Sequence, residues 1–277
     1  MMTKKKYSVD ELKKIAQDIR IQVIQMLSKA KSGHPGGSLS MVDILVALFF
    51  DVMTFDPHNK TGNDRDRFHL SKGHGCPTLY AILARLDFFP QAECDRLRQL
   101  GGLLQGHPHP KTPGIEVASG SLGQGLSIAC GMALAQRLDR KKGCVFTVLG
   151  DGELQEGQVW EAALFAAHRK LDNLIVIIDC NGMQIDGKIE DIINLGPLEK
   201  KWEAFGFTVH ECDGHNITTL IETMTKARTA EGKPHVIIAK TVKGKGVSFM
   251  EGNLDFHGKS PTTEETEQAL GELKKQS

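Results

Sequence analysis

Two apolar runs, each followed by a short polar group, constrain the fold of this chain most. The run CVFTVL leads into GDG at 150–152, and the run LIVII leads into DCNG at 179–182. A helical pattern lies between them, so the two runs read as neighbouring strands of one βαβ unit. Because the carboxyl ends of parallel strands lie side by side at one edge of a sheet, Asp151 and Asn181 are predicted to lie together there.

The side chains at these strand ends suit a hard cation. Asp151 offers a carboxylate and Asn181 an amide oxygen, and Mg²⁺ prefers oxygen ligands and commonly shares them with phosphates. The glycines of GDG let a phosphate approach the backbone, and the following helix points its positive end towards it. A tight βα turn with an N-capping Asp would explain GDG alone equally well. The pairing with Asn181 therefore carries the prediction of a metal and diphosphate site.

Helices and strands alternate along the chain, which predicts an α/β fold with a parallel sheet and helices on both faces. Besides the helix after GDG, helices are predicted over residues 8–32, 40–50, 78–86, 93–100, 127–140, 198–205, 218–229 and 262–277. Strands are predicted over residues 68–70, 144–149, 174–178, 207–212 and 235–241, and a polar loop over 54–67. We expect residues 1–277 to form one domain in which the N-terminal third wraps the sheet and builds the site.

Composition excludes several classes of function. The formal net charge of the 277 residues is zero, so there is no electrostatic case for binding nucleic acid or a membrane surface. No apolar run approaches the roughly 20 residues that span a bilayer, and the N-terminus lacks the apolar core of a secretory signal. The six cysteines are scattered without metal or redox spacing, which is typical of reduced thiols. We therefore expect a cytoplasmic location.

A series of short motifs resembles those of transketolases, in that family's order and over nearly the whole chain. They are SGHPGG (32–37), SKGHG (71–75), QGHP (105–108), TPGIEVASGSLGQG (112–125), GDGELQEGQVWEAA (150–163), CNGMQIDG (180–187), KTVKGKG (240–246) and FHGKSP (256–261). The resemblance implies the diphosphate-binding (PP) domain of the thiamine diphosphate fold. It also implies transfer of a two-carbon ketol unit from a ketose phosphate, such as xylulose 5-phosphate, to an aldose phosphate in the pentose phosphate pathway.

The resemblance implies a metal site at the strand ends. Asp151 and Asn181 would bind Mg²⁺ through side-chain oxygens, and Met183 through its backbone carbonyl. Ca²⁺ or Mn²⁺ could take the place of Mg²⁺. Gly152 would contact the diphosphate of thiamine diphosphate through its backbone.

The resemblance also implies residues that surround the rest of the cofactor. Leu122 and Gly123, in the SLGQG turn, would line it, and Ile185 would pack against its rings. Many relatives have Pro where this chain has Ser121, which leaves this turn less rigid. The implied cofactor-binding set is completed by His74, Glu156, Asn181, Lys243 and His257.

Histidines in Gly-containing loops are candidates for the chemistry. Imidazole suits both hydrogen bonding to sugar hydroxyls and proton transfer near neutral pH. By resemblance, the catalytic histidines are His34, His74, His107 and His257.

Two lysines and two further histidines have less specific interpretations. Lys72 and Lys243 either add positive charge near the diphosphate or substrate, or lie on a solvated surface. His69 and His109 are expected to be structural.

The helix after GDG carries Glu156 and Glu161. These are either ordinary acids near the positive end of a helix or, as in the family, residues of an interface between two copies of the chain. The resemblance favours self-association across this helix.

Part of the expected catalytic apparatus is not found in these residues. In the family, the Glu that protonates the aminopyrimidine ring comes from a pyrimidine-binding domain on another chain, and the groups that grip the sugar phosphate lie outside the PP domain. We therefore expect the N-terminal subunit of a split transketolase, active only with a C-terminal partner subunit in an α2β2 heterotetramer.

Three alternatives remain open. The same chemistry could act on a branched (apulose-type) or sulfonated ketose phosphate. The chain could instead be the alpha subunit of a 2-oxoacid dehydrogenase, although that enzyme would not need the four sugar-directed histidines. It could also be a degenerate regulatory subunit, against which the intact Asp151, Asn181 and histidine set argue.

Overall fold

A five-stranded parallel sheet forms the centre of the computed structural model, which describes residues 6–56 and 65–275. The strands are β1 (Arg67–Leu70), β2 (Val145–Gly150), β3 (Leu174–Cys180), β6 (Thr208–Asp213) and β7 (His235–Lys240), and their spatial order is β1-β2-β3-β7-β6. A separate antiparallel pair consists of β4 (Met183–Gln184) and β5 (Gly187–Lys188). The strand ends of β2 and β3 are in register, so the residues that follow them lie at one edge.

Helices cover both faces of this sheet. They are α1 (Val9–Ala30), α2 (Pro35–Leu39), α3 (Val42–Ala47), α4 (Cys76–Arg85), α5 (Gln124–Leu138), α6 (Gly157–His168), α7 (Ile189–Ile192), α8 (Leu198–Ala204), α9 (Ile217–Thr229) and α10 (Thr263–Lys275). Alternate residues of β2, β3 and β7 enter two separate apolar clusters, as Ile175 and Val176 of β3 illustrate. The predicted parallel α/β fold is confirmed.

The first helix shows how the sequence sets its own ends. Ser8 and Glu11 form a capping box in which each side chain accepts from the other residue's backbone N–H. Leu12, Ile15 and Ile19 recur at helical spacing and are buried against the core. The helix ends at Ala30 because Lys31 adopts the left-handed conformation.

Three predicted helices differ from the structure. The predicted helix 40–50 begins two residues later, at Val42, because a turn at Ser40 and Met41 separates it from the short α2. Its last part is a π-helical turn, Leu48–Val52. The predicted helix 93–100 is only a 3₁₀ turn over Gln91–Arg96. The helix predicted from residue 127 starts at Gln124, inside the glycine motif, because Gly123 supplies the left-handed turn before it.

Two further predictions concern a membrane span and the polar segment 54–67. The stretch Pro35–Val52 is long and apolar enough to cross a membrane, but 94% of it is buried inside the fold, where it packs as core. The predicted polar loop 54–67 overlaps residues 57–64, which lie outside the described residues.

Candidate cofactor and metal site

The carboxyl ends of β2 and β3 bring Asp151 and the DCNG turn together as the strand pattern predicts. One carboxylate oxygen of Asp151 accepts from the backbone N–H of Gly182 at 2.5 Å, and the other accepts from that of Gly152 at 3.0 Å. Asp151 is only 3% exposed, and burial raises the pKa of its carboxyl to about 6 against the opposing hydrogen bond from Gly182. A buried carboxylate beside a cavity is a favourable position for a cation.

Asn181 and Met183 add further oxygens beside this carboxylate. The Asn181 side-chain oxygen accepts from the Met183 backbone N–H at 3.2 Å, and the Met183 carbonyl accepts from the Lys243 amino group at 3.4 Å. Residues 6–56 and 65–275 contain no cluster of three His, Cys, Asp or Glu side chains that could hold a metal. A carboxylate, an amide oxygen and a carbonyl instead fit a hard cation whose remaining ligands come from phosphate and water.

Histidines surround the other end of the same cavity, which has a volume of about 290 Å³. The ring centroids of His34, His74 and His257 lie 5.2 to 5.5 Å apart, and His107 lines the cavity beside them. The structure thus brings together all four histidines that the sequence singled out.

These imidazoles are neutral at pH 7. Burial, reinforced by neighbouring cations, lowers the pKa of His34 to about 4 and that of His257 to about 3. The pKa values of His74 and His107 are lowered as well, again mainly by burial. A neutral imidazole can both donate and accept a hydrogen bond, which is what binding a sugar hydroxyl requires.

Neither lysine lies on a solvated surface. Lys72 is buried, and its amino group forms an ion pair with the buried Asp179 and donates to the Gly37 carbonyl at 2.9 Å. The positive charge of Lys72 is therefore balanced by the carboxylate of Asp179. Lys243 is also buried, its amino nitrogen lies 2.7 Å from His257 Nδ1, and burial lowers its pKa to about 8.

Glu153 is a buried residue of this site that the sequence did not single out. One of its carboxylate oxygens accepts from the Gly123 backbone N–H at 2.9 Å and from the Ser71 hydroxyl, and the other accepts from the Gly150 N–H at 3.1 Å. It therefore ties the loops of Ser71 and Gly123 to the end of β2. Its position in GDGE was the available indication, but Ser71 and Gly123 are far from it in the sequence.

The SLGQG turn lies at the cavity mouth in a conformation that needs glycine. Gly123 has a φ of +86°, and a Cβ atom there would lie 2.6 Å from the Cβ of Glu156. Leu122 and Ile185 line the cavity with exposed side chains, 40% and 67% respectively, and Ser121 is exposed in the same turn.

The remaining predicted residues have clear positions. Gly152 lines the cavity, with its N–H directed at Asp151. Glu156 and Glu161 are both exposed, at the start of α6 and within it. His109 is exposed and accepts from a neighbouring backbone N–H, whereas His69 is buried in β1, and neither lines the cavity.

The parallel sheet, the oxygen-rich strand ends and the glycine turns define an α/β domain of the class that binds phosphate-bearing cofactors at its strand ends. The family model described as the transketolase thiamine diphosphate binding domain matches residues 11–275. The chain belongs to the transketolase family.

Similar proteins support this assignment over nearly the whole chain. The chain is 46% identical to the 6-deoxy-6-sulfo-D-fructose transketolase subunit SqwG of Clostridium sp. (strain MSTE9), over 96% of this chain and 97% of that protein. It is 44% identical to an apulose-4-phosphate transketolase subunit of Actinobacillus succinogenes, with the same coverage.

Full-length transketolases match this chain over less than half of their own length. The chain is 40% identical to the transketolase of Homo sapiens, and the match covers 95% of this chain but 42% of that protein. The crystal structure of the transketolase from Campylobacter jejuni superimposes with a TM-score of 0.91 at 34% identity, over 97% of this chain and 43% of that one. The chain therefore spans less than half the length of these transketolases.

These comparisons confirm the predicted family, the thiamine diphosphate-binding fold and the transketolase class of enzyme. The family match decides against the alpha subunit of a 2-oxoacid dehydrogenase.

Proposed function

We propose that this chain is the thiamine diphosphate-anchoring subunit of a transketolase. In this role it takes part in moving a two-carbon ketol unit from a ketose phosphate to an aldose phosphate. The main support is one cavity that joins the oxygen set around Asp151 to the neutral histidine cluster. The first end suits a metal-bound diphosphate, and the second suits the hydroxyl groups of a sugar.

The cavity residues fit the cofactor and its metal. Asp151, Asn181 and the Met183 carbonyl would hold Mg²⁺, and the Gly152 backbone would lie beside the diphosphate. Lys243 would add positive charge at the same end, where its amino group already lies near the Met183 carbonyl. Leu122, Gly123, Ile185 and Glu156 would border the rings, with Glu156 acting from the start of α6.

The histidines supply hydrogen bonds and proton transfer. When bound, thiamine diphosphate supplies the electron sink for cleaving the bond next to the ketose carbonyl. His34 is neutral at pH 7, so it can accept a proton from a sugar hydroxyl and return it. His257 is also neutral, and because its Nδ1 accepts from the Lys243 amino group, its Nε2–H is free to donate to a sugar oxygen. His74 and His107 would orient the sugar from the other sides of the cavity.

The enzyme includes a second type of chain. The carboxylate that activates the aminopyrimidine ring would come from a pyrimidine-binding partner, and two copies of each chain would form an α2β2 assembly. Exposed Glu156 and Glu161 would lie where two copies of this chain meet. The similar proteins of the same length are themselves named as transketolase subunits, which supports the two-chain arrangement. A cytoplasmic location is part of the same proposal.

A second candidate function keeps the chemistry and changes the sugar. The two subunits that this chain matches from end to end are named for 6-deoxy-6-sulfo-D-fructose and apulose 4-phosphate. Rates of ketol transfer in the reconstituted enzyme with xylulose 5-phosphate, 6-deoxy-6-sulfofructose and apulose 4-phosphate would decide between them. The pentose phosphate assignment requires xylulose 5-phosphate to be the best donor.

The cofactor site can be tested on this chain alone by calorimetric titration with thiamine diphosphate and Mg²⁺. Asp151→Ala should abolish Mg²⁺-dependent binding while leaving the fold intact. Asp191→Ala is the matched control, since Asp191 is exposed on the nearby α7 and does not line the cavity. Unchanged affinity in Asp151→Ala would show that the metal site lies elsewhere.

A further inference from the structure

A buried charged network lies behind the loop that carries Lys243. Arg20 of α1 and Asp43 of α3 are both buried and form a two-pronged ion pair, with nitrogen–oxygen distances of 3.2 and 2.5 Å. His215, which follows β6, adds its Nδ1 atom at 2.8 Å from a carboxylate oxygen of Asp43. Three segments far apart in the sequence therefore meet at one carboxylate.

The hydrogen bonds fix the tautomer of His215. Burial would raise the pKa of Asp43, but Arg20 and the hydrogen bond from His215 outweigh it and hold this pKa below its usual value. An ionised carboxylate only accepts, so His215 Nδ1 must donate to it. The Nε2 atom of His215 then carries a lone pair, and it accepts the Val242 backbone N–H at 2.8 Å.

The same network fixes the other end of the loop. Arg20 Nε donates to the Lys245 carbonyl at 3.3 Å, so one ion pair reaches both Val242 and Lys245. Between these two contacts, the Gly244 N–H donates to the Gly36 carbonyl at 3.0 Å. The backbone on both sides of Lys243 is thereby held.

Lys243 depends on this backbone for its position. Its amino group reaches His257 and the Met183 carbonyl, and within residues 6–56 and 65–275 no carboxylate forms an ion pair with it. Since its hydrogen-bond partners among the described residues are neutral acceptors, the position of its amino group depends on where the loop backbone places the side chain.

We propose that Asp43 and His215, with Arg20, are positioning residues that place the Lys243 amino group at the metal and diphosphate end of the cavity. None of the three lines the cavity. They act by holding the backbone from Val242 to Lys245. The effect on cofactor binding rests on the proposed function, whereas the effect on the loop does not.

Two variants of His215 separate this role from simple packing. His215→Gln retains a donor for Asp43 and an acceptor for the Val242 N–H, whereas His215→Phe keeps a ring and loses both. In hydrogen–deuterium exchange, the backbone amides around Val242 should exchange at least about tenfold faster in His215→Phe and near the wild-type rate in His215→Gln. Equal exchange in the two variants would overturn the proposal.

Cofactor titration tests whether the effect passes through Lys243. With thiamine diphosphate and Mg²⁺, His215→Phe should weaken binding about tenfold and His215→Gln less than about twofold. A loss of about tenfold is within the range of coupling energies measured between contacting groups. In a Lys243→Met background, His215→Phe should add less than about twofold. A full additional loss of about tenfold in that background would contradict action through Lys243.

The two experiments distinguish a wrong cofactor site from a wrong positioning role. If the proposed cofactor site is wrong, the wild-type chain does not bind thiamine diphosphate, but the exchange of the Val242 region still reports on the network. If the positioning role is wrong, the wild type binds and the Phe and Gln variants behave alike. Should His215→Phe not fold, as judged by circular dichroism, His215→Ala serves as the second variant with the same expected outcomes.

Discussion

Removing the ammonium of Lys72 should destabilise the fold more than removing any surface charge. The side chains of Lys72 and Asp179 are 2% and 0% exposed, so their ion pair is shielded from water. In Lys72→Met, the Asp179 carboxylate keeps only the Ser40 and Thr241 hydroxyls as side-chain donors among the described residues. Leaving a buried charge without its counter-charge typically costs about 3–5 kcal/mol, and we expect a loss of that size.

Urea unfolding followed by tryptophan fluorescence measures this loss, because Trp202 is buried in the apolar cluster beside β3. Lys29→Met is the matched control. The ion pair of Lys29 with Asp95 is about half exposed on both sides, so its loss should cost less than about 1 kcal/mol.

A double variant checks the physical cause. Lys72→Met with Asp179→Asn removes both charges and should recover more than half of the lost stability. The reasoning would be refuted if Lys72→Met lost no more stability than Lys29→Met, or if the double variant were less stable than Lys72→Met.

Three further predictions follow from single contacts. Burial lowers the pKa of His69 to about 4 in the folded chain. As the pH falls from 6.5 to 4, the unfolded chain therefore binds this proton before the folded chain does. The free energy of unfolding should drop by up to about 3 kcal/mol because of this residue. Denaturation across this pH range should show a shallower slope in His69→Gln, and an unchanged slope would contradict the assignment. Tyr80→Phe removes the hydroxyl that donates to the His107 carbonyl at 2.9 Å and should lower the free energy of unfolding by about 1 kcal/mol, whereas no change in the urea midpoint would show that the bond contributes nothing. Gly123→Ala should lower the free energy of unfolding by at least about 1–2 kcal/mol, because Gly123 has a left-handed backbone conformation. Gly157→Ala is the control and should be neutral, because a Cβ atom there meets no atom within 4 Å. Equal effects of the two substitutions would contradict this explanation.

The fold and the metal end of the site were accessible from the sequence because they follow local rules. Two apolar runs of strand length with a helix between them indicate neighbouring parallel strands. The residues that follow parallel strands lie at the same edge of the sheet. Asp151 and Asn181 could therefore be paired without knowing any other contact. The four histidines were found by their glycine-rich loops and by resemblance, and the structure brings them to one cavity.

The contacts that hold the site were not accessible in this way. Asp179 lies near the end of a strand that is otherwise apolar, and Lys72 lies in a distant loop, so neither indicated the other. Glu153 was not singled out from the sequence, although its carboxylate accepts from Ser71, Gly123 and Gly150. Such pairings depend on tertiary packing, which periodicity and motif spacing do not specify.

The helix boundaries failed for a related reason. Periodicity does not locate the start of a helix in a fully buried run, so the helix predicted from Ser40 begins only at Val42, after the turn at Ser40 and Met41. The predicted start of α5 is too late because glycines disfavour helices, yet the left-handed Gly123 allows the helix to begin at the next residue.

The central claim is that this chain supplies the cofactor-anchoring half of a two-chain transketolase. The most direct test is the rate of two-carbon transfer from a ketose phosphate to an aldose phosphate, measured with thiamine diphosphate and Mg²⁺ for this chain alone and after mixing with a chain that carries the pyrimidine-binding domain. We expect transfer only in the mixture, and its loss when this chain carries Asp151→Ala. Full activity of this chain alone, or an active mixture containing the Asp151→Ala variant, would contradict the central claim.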